Sequence, residues 1–426
     1  MAIAEVAKQP GKRLALFFDG TWDVPQNNTN VWRLYLMLAE RDEGGIQQRS
    51  YYDEGVGTKR RDHLTGGMFG AGLGENVRLG YRWLMQHYDD GDEIYLFGFS
   101  RGAFTARGLA GLIARCGLLK PDAPMSFWDL FERYKKGDAV RPIYELIQLR
   151  DAGKTDFNFE ESVLLKHAWY KRNLITLVGV WDTVGALGVP WGNIPGISSR
   201  SLRFYNTHLT TVVKNAFQAL ALDEHRHPYW AMLWTNFVPW PPAPGHVETF
   251  DSRTIEQRWF SGAHGNVGGG YIEDLMPQRP LAWIQGKAAA CGLGFRSLVQ
   301  LNDDDLHCKP VDSYAEFLFG AWQWVCPRYV RWVQSSPVRK PTGWVETVNE
   351  RIDRSVFHRC QLDRTYRPLS LGEWARRKGY DLETVIASPA EIARLDEPIT
   401  APGIEGQIPA ASGTAASGSP PAPQCG

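Results

Sequence analysis

The sequence has no excess of charge of either sign: its 426 residues carry 47 Lys plus Arg against 47 Asp plus Glu. Binding a phosphate backbone needs clustered cations, and no basic run interleaved with aromatics occurs, so no nucleic-acid partner is expected. Cysteine is sparse. Cys116, Cys291, Cys308, Cys326, Cys360 and Cys425 lie far apart, with no C-x-x-C pair and no Cys/His group at zinc-ligand spacing. Free thiols, made in a reducing compartment, are expected rather than disulfides. No run of about twenty residues escapes charge, so no membrane-spanning helix is expected. The apolar stretch near residue 110 is interrupted by Arg101, Arg107 and Arg115. The opening residues, MAIAEVAKQPGKRLALFFDG, hold neither the apolar segment nor the cleavage site of a secretory signal. Synthesis in the cytoplasm is expected, and any export would use a route that reads no cleavable signal. Internal repeats are also lacking.

What is present reads as a large soluble α/β protein. Four short runs are apolar on both faces and bounded by turns, as strands of a buried parallel sheet are: Leu14 to Phe18, Ile94 to Phe97, Leu174 to Val180, and one ending at Trp259-Phe260. Between them, helical periodicity is expected over Asn76 to His87, Ala103 to Cys116, and Thr211 to Leu222. The alternation predicts a doubly wound, mostly parallel sheet. Residues 1–12 and 397–426 are expected to be disordered, the latter because Ala, Gly, Ser and Pro cannot bury enough apolar area to offset ordering entropy. Residues 13–396 then form one catalytic domain. Within it, 121–170 is expected as a helical insertion or lid and 281–396 as a helical C-terminal part.

One strand-like run, Ile94 to Phe97, passes at once into helical periodicity through Gly98-Phe99-Ser100-Arg101-Gly102. A serine on a sharp strand-to-helix turn is lifted clear of the sheet, and only small neighbours tolerate so tight a bend. Gly98 and Gly102 would supply them. The Arg101 N–H, at the start of the helix, could then hold an oxyanion. A nucleophilic serine needs a base and the base an orienting acid. Asp182, at the end of the third apolar run, is the best acid, although the same position suits a turn or cap residue. His264, in the five-glycine stretch WFSGAHGNVGGGY, is the best base, ahead of His208, His225 and His227 beside the expected third helix.

A second segment, LALFFDGTWD, ends a strand in Asp19-Gly20-Thr21. It resembles a phosphatase loop, but the residue two before Asp19 is Phe17 where a nucleophilic aspartate would stand. Backbone N–H groups of Gly20 or Thr21 completing an oxyanion hole are one reading, and a simple Asx turn is the other. The stretch GGMFGAGLG has G-x-G-x-G spacing and no strand running into it, so dinucleotide binding is not expected. Of the seventeen tryptophans, Trp230, Trp234 and Trp240 lie beside prolines, either as an acyl-chain entrance or as ordinary core.

Taken in order, FFDGTWD with NNTNV, YDEGVGT, GLGENVRLGYRWL, FGFSRGAFTARGLAGLI, VGVWDTVGALG, QALALDEHR, WFSGAHGNVGGGY and RSVFHR resemble an α/β-hydrolase family. It is the one that includes the catalytic domains of type VI secretion phospholipase effectors, the type VI lipase effectors of class one. The resemblance runs from about residue 13 to residue 368. It implies a Ser100–Asp182–His264 triad and hydrolysis of phospholipid acyl esters of the phospholipase A type. It also implies contact with a membrane surface and a place for an immunity or adaptor protein. The sequence shows none of the long extra domains that large effectors use for membrane docking, and no loading module. The chemistry calls for no cofactor, and a calcium ion of the kind some lipases carry stays compatible with it. Two other readings remain: a metal-dependent phosphatase or nucleotide hydrolase using Asp19, and a binding module on a hydrolase scaffold.

Overall fold

A computed structural model of the chain describes residues 11–20, 28–55, 68–184, 212–239, 255–271, 274–320, 322–335 and 338–396. Both expected terminal segments therefore lie outside the described residues, except for Gly11 and Lys12. Seven parallel strands form the central sheet: β1 (Arg13–Phe18), β2 (Gln48–Asp53), β3 (Glu93–Phe99), β6 (Ile175–Trp181), β7 (Val213–Ala221), β9 (Ile255–Phe260) and β12 (Glu350–Ile352). Their spatial order is β2-β1-β3-β6-β7-β9-β12. The chain thus starts inside the sheet, adds β2 on one side, then crosses back and builds outward on the other.

The inner strands are buried on both faces, as expected for a parallel sheet covered by helices. On one face Leu14, Leu16, Phe18, Ile94, Leu96, Val178 and Val180 pack with residues of α2 (Met68–His87) and α3 (Ser100–Cys116). On the other, Ala15, Phe17, Tyr95, Phe97 and Leu177 pack with α1 (Asn30–Met37) and the helix Gln278–Ala290. A third apolar cluster joins Leu220, Leu222 and Trp259 to Val356, Phe357, Leu371 and Trp374 of the C-terminal helices, closing the β12 end.

The segment 121–170 holds α4 (Phe127–Lys135), α5 (Ile143–Asp151) and α6 (Phe159–His167), which pack on the α2–α3 side. At its neck β4 (Leu118–Leu119) pairs antiparallel with β5 (Ala168–Trp169). The interval 281–396 is not purely helical. It contributes β12 to the sheet, and its β10 (Val338–Lys340) and β11 (Gly343–Thr347) join β8 (Thr235–Pro239) in a small antiparallel sheet.

One expected helix is a strand. Of the stretch Thr211 to Leu222, residues 213–221 form β7, paired in parallel with β6 and β9. Its sequence, VKNAFQALA, is rich in good helix formers. Placement between two strands overrides that preference: Ala216, Phe217, Ala219, Leu220 and Ala221 are all buried, and Ala219 and Ala221 share a cluster with Leu281 and Ile284 of the helix Gln278–Ala290. Its two polar residues facing inward are satisfied. Asn215 Nδ2 donates to the Thr176 carbonyl at 2.8 Å, and Gln218 Nε2 donates to Met232 O and Gln257 Oε1, both at 3.1 Å.

Candidate active site

The site lies along the carboxyl edge of the sheet, where β1, β3, β6, β7 and β9 end. At the β3–α3 junction Ser100 has φ +57°, in the left-handed region that a serine rarely adopts. The flanking glycines permit it. A Cβ on Gly98 would lie 2.4 Å from Gly102 O, and one on Gly102 would lie 2.0 Å from Phe18 O. Strand β1 and the start of α3 therefore meet backbone to backbone. No side chain caps α3, and its first turn has no acidic residue, so its amide end, including Arg101 N–H, favours an anion.

Asp182 follows β6 directly, fully buried, with φ +39°. Its backbone N–H donates to Ala219 O at 2.7 Å, and the Ala221 N–H donates to its Oδ1 at 3.0 Å, so the end of β7 fixes both backbone and carboxylate. His264 opens the short helix His264–Gly268, four residues beyond β9. Gly262, at φ +107°, turns the chain into that helix and donates its N–H to Asp223 Oδ2 at 2.7 Å. The imidazole packs against Phe99 and Tyr229, with ring centroids 4.6 and 5.1 Å apart. The structure brings the three side chains into one line. His264 Nδ1 lies 2.6 Å from Asp182 Oδ2, and His264 Nε2 lies 2.8 Å from Ser100 Oγ.

Electrostatics hold the acid in its charged form. Burial alone would push the Asp182 carboxyl up, but the Arg331 guanidinium and His264 outweigh it and bring it to about 2. A second buried carboxylate stands behind the histidine. Glu224 accepts from Arg226 Nε and Nη2 at 2.8 and 2.7 Å and from Ser313 Oγ at 3.0 Å, with the His264 N–H 3.3 Å away. Burial opposes its charge too, and Arg226, with Arg331 and His264 beyond it, prevails and brings it to about 2.

The remaining sequence candidates part company. The Gly20 N–H donates to its own neighbour, Asp19 Oδ1, at 2.9 Å. Thr21 lies outside the described residues, as do His208 and Trp240. Asp19 is buried, and its Oδ2 accepts from Thr29 Oγ1 at 2.6 Å and Tyr52 OH at 2.8 Å, tying the end of β1 to α1 and β2. His225 stands on the turn after β7, where its Nδ1 bonds Tyr329 O at 2.8 Å, and His227 opens the short 3-10 helix His227–Tyr229. Trp234 belongs to the core, while Trp230 is partly exposed. Sequence reading missed Arg331, which donates to both oxygens of Asp182 at 2.6 and 3.1 Å. No local pattern in PRYVRWVQ marks it; only the closure of the chain places it there. Among the described residues no group of His, Cys, Asp and Glu is arranged to hold a metal.

A parallel sheet of this order, with a strained serine on the strand-to-helix turn after β3, defines an α/β hydrolase. The sequence agrees. Residues 12–287 match the family described as T6SS, Phospholipase effector Tle1-like, catalytic domain, and the chain belongs to that family. A protein of Saccharomyces cerevisiae described as "Uncharacterized protein YEL023C" is 29% identical over 300 residues, covering 66% of this chain and 40% of that protein. The chain thus spans 40% of the length of this curated relative. Among solved structures, an uncharacterised Pseudomonas aeruginosa protein is similar with TM-score 0.42 and 15% identity, over 90% of this chain and 63% of that one. The Tle1 effector bound to the VgrG spike of the type 6 secretion system has TM-score 0.33 and 17% identity, over 62% and 52%. Thermogutta terrifontis esterase 2 in its apo form has TM-score 0.33 and 12% identity, over 66% and 84%.

Proposed function

We propose that the chain is a serine hydrolase of carboxylic esters, with glycerophospholipid acyl esters as substrates, acting after signal-independent export by a type VI secretion system. The observation that carries the chemistry is the continuous Ser100–His264–Asp182 hydrogen-bonded line. The family's description supports the lipid class and the export route. A secretion-spike component and an immunity protein are the partners this reading calls for.

In the proposed reaction Ser100 Oγ attacks the ester carbonyl carbon while its proton passes to His264 Nε2. Asp182 keeps the Nδ1–H tautomer in place and stabilises the imidazolium. The negative oxygen of the tetrahedral intermediate faces the uncapped start of α3, where the Arg101 N–H donates to it, with Thr21 as the proposed second donor. Collapse breaks the bond to the leaving alcohol, which takes the proton from His264. Water then attacks the acyl-serine, gives its proton to His264, and releases the carboxylic acid as Ser100 is reprotonated.

The test is labelling by a fluorophosphonate in EDTA, followed by assay on vesicles of diacyl phospholipid and of its diether analogue. Wild type should label and release fatty acid from the diacyl lipid alone; folded Ser100→Ala should do neither. An active Ser100→Ala protein removes the serine mechanism, and loss of wild-type activity in EDTA favours a metal-dependent hydrolase. A folded wild type that neither labels nor cleaves points to a binding module.

A further inference from the structure

We infer that Arg331 is a positioning residue for the proposed relay, presenting the Asp182 carboxylate to His264 and acting on turnover only through it. This rests on the serine-hydrolase reading and adds to it a residue outside the three-residue line. The guanidinium is buried and makes a two-pronged contact, Nη1 to Oδ1 at 2.6 Å and Nη2 to Oδ2 at 3.1 Å. The same two nitrogens reach Ala221 O, at 2.8 Å, and Tyr229 O. These are the end of the strand beside Asp182 and the residue whose ring packs on His264. One rigid fork therefore ties together the acid, the strand that orients it and the turn that flanks the base.

The chemistry explains why such a fork is useful here. Asp182 is fully buried, and an isolated buried carboxylate would take up a proton. Its other cationic neighbour, His264, is charged only during part of the proposed cycle. Arg331 is charged throughout, so the carboxylate stays ionised and in place while the imidazole is neutral. The remaining charges near the base, Glu224 and Arg226, are paired with each other. The positive φ of Asp182 adds to the demand, because the backbone there holds a sparsely populated conformation that contacts around the carboxylate must secure.

A purely structural arginine, pinning the segment around Arg331 to the sheet, predicts something different. The test is a double-mutant cycle on the full chain with Arg331→Met, Asp182→Asn and the double variant, assayed on a p-nitrophenyl ester and by thermal melting. Arg331→Met should lower kcat at least about tenfold with KM unchanged, since it disturbs the acid and not substrate contact. In the Asp182→Asn background the same change should cost less than about twofold in residual fluorophosphonate labelling rate. The double variant should melt above Arg331→Met, because no unpaired buried charge remains. If Arg331→Met does not fold, Asp182→Asn against the double variant carries the comparison, and Arg331→Lys should retain the fold with reduced kcat. Wild-type kcat in Arg331→Met or Arg331→Lys, a rise in KM alone, or losses that multiply across the cycle would overturn the inference. The two readings fail differently. Multiplying losses with an inactive Ser100→Ala sink only the role of Arg331, whereas an active Ser100→Ala removes the serine mechanism and this inference with it.

Discussion

Ser100 and Asp182 stand at equivalent positions on neighbouring strands: each is the residue just after a register pair, Phe99 of β3 with Trp181 of β6, and each leaves the sheet at positive φ. Strained backbone at two adjacent strand ends puts both side chains above the carboxyl edge, where parallel α/β sheets bind ligands. The cost of that strain is measurable. Ser100→Gly, free to adopt φ +57°, should be more stable than Ser100→Ala by about 1 kcal/mol, although both lack the hydroxyl. Equal denaturation midpoints would mean that the turn is not strained.

The elbow's neighbours give a sharper test. Because a Cβ on Gly102 would fall 2.0 Å from Phe18 O, against backbone that cannot swing away, Gly102→Ala should force β1 and α3 apart. A loss of about 3 kcal/mol or more is expected, in the range of severe overpacking. Gly372→Ala, inside the helix Leu369–Lys378 with nothing within 4 Å of the added methyl, is the control and should melt no lower than wild type, since alanine suits a helix interior better than glycine. Soluble Gly102→Ala with an unchanged melting temperature would contradict the close approach.

Acid should remove the contribution of Glu224, which the difference between wild type and Glu224→Gln isolates. Its carboxyl is held at about 2, below the ordinary 4.5, so the stabilisation is complete above about pH 4.5 and disappears as the pH falls through about 2. Glu224→Gln, which leaves Arg226 without its charged partner, should cost about 3 kcal/mol at pH 7. The gap to wild type should close between pH 4.5 and 2. Urea titrations at fixed pH across that interval measure it, and a gap independent of pH would show that the Glu224 charge contributes nothing.

Thiol chemistry should follow burial. Cys116 and Cys360 are buried, and burial pushes both thiols up to about 12. The thiolate is the reactive form, so both should resist a disulfide reagent at pH 8 until the chain unfolds. Among the described cysteines, Cys308, partly exposed, should react before Cys116 and Cys360. Peptide mapping of the modified protein assigns the order, and early modification of Cys116 would contradict its burial at the end of α3.

How much of this the sequence could reveal depends on how local the cause is. Leu14 to Phe18 reads as a buried strand because every residue in it is apolar. The turn at Ser100 reads as an elbow because Gly98 and Gly102 are needed within five residues of each other. Asp182 and His264 stand out because each closely follows an apolar run. The causes that escaped are distant in sequence. The stretch VKNAFQALA is a strand only because β6 and β9 flank it, and its own composition favours a helix. β12 is three residues long with two of them charged, so its pairing with β9 leaves no pattern. Arg331 reaches Asp182 across 149 residues, and nothing in its neighbourhood announces a buried guanidinium.

The strand that looked like a helix also sets a distance. Asp182 follows β6 and His264 follows β9, with β7 lying between the two strands. The two strand ends therefore lie two strand spacings apart, about 9.6 Å, and the turn at Gly262 brings the two side chains together. That gauge is cut by hydrogen bonds along the backbone, which are indifferent to the side chains of β7. The residues of β7 can drift wherever packing allows while the proposed relay keeps its dimensions, since the separation belongs to the sheet rather than to any residue in the line.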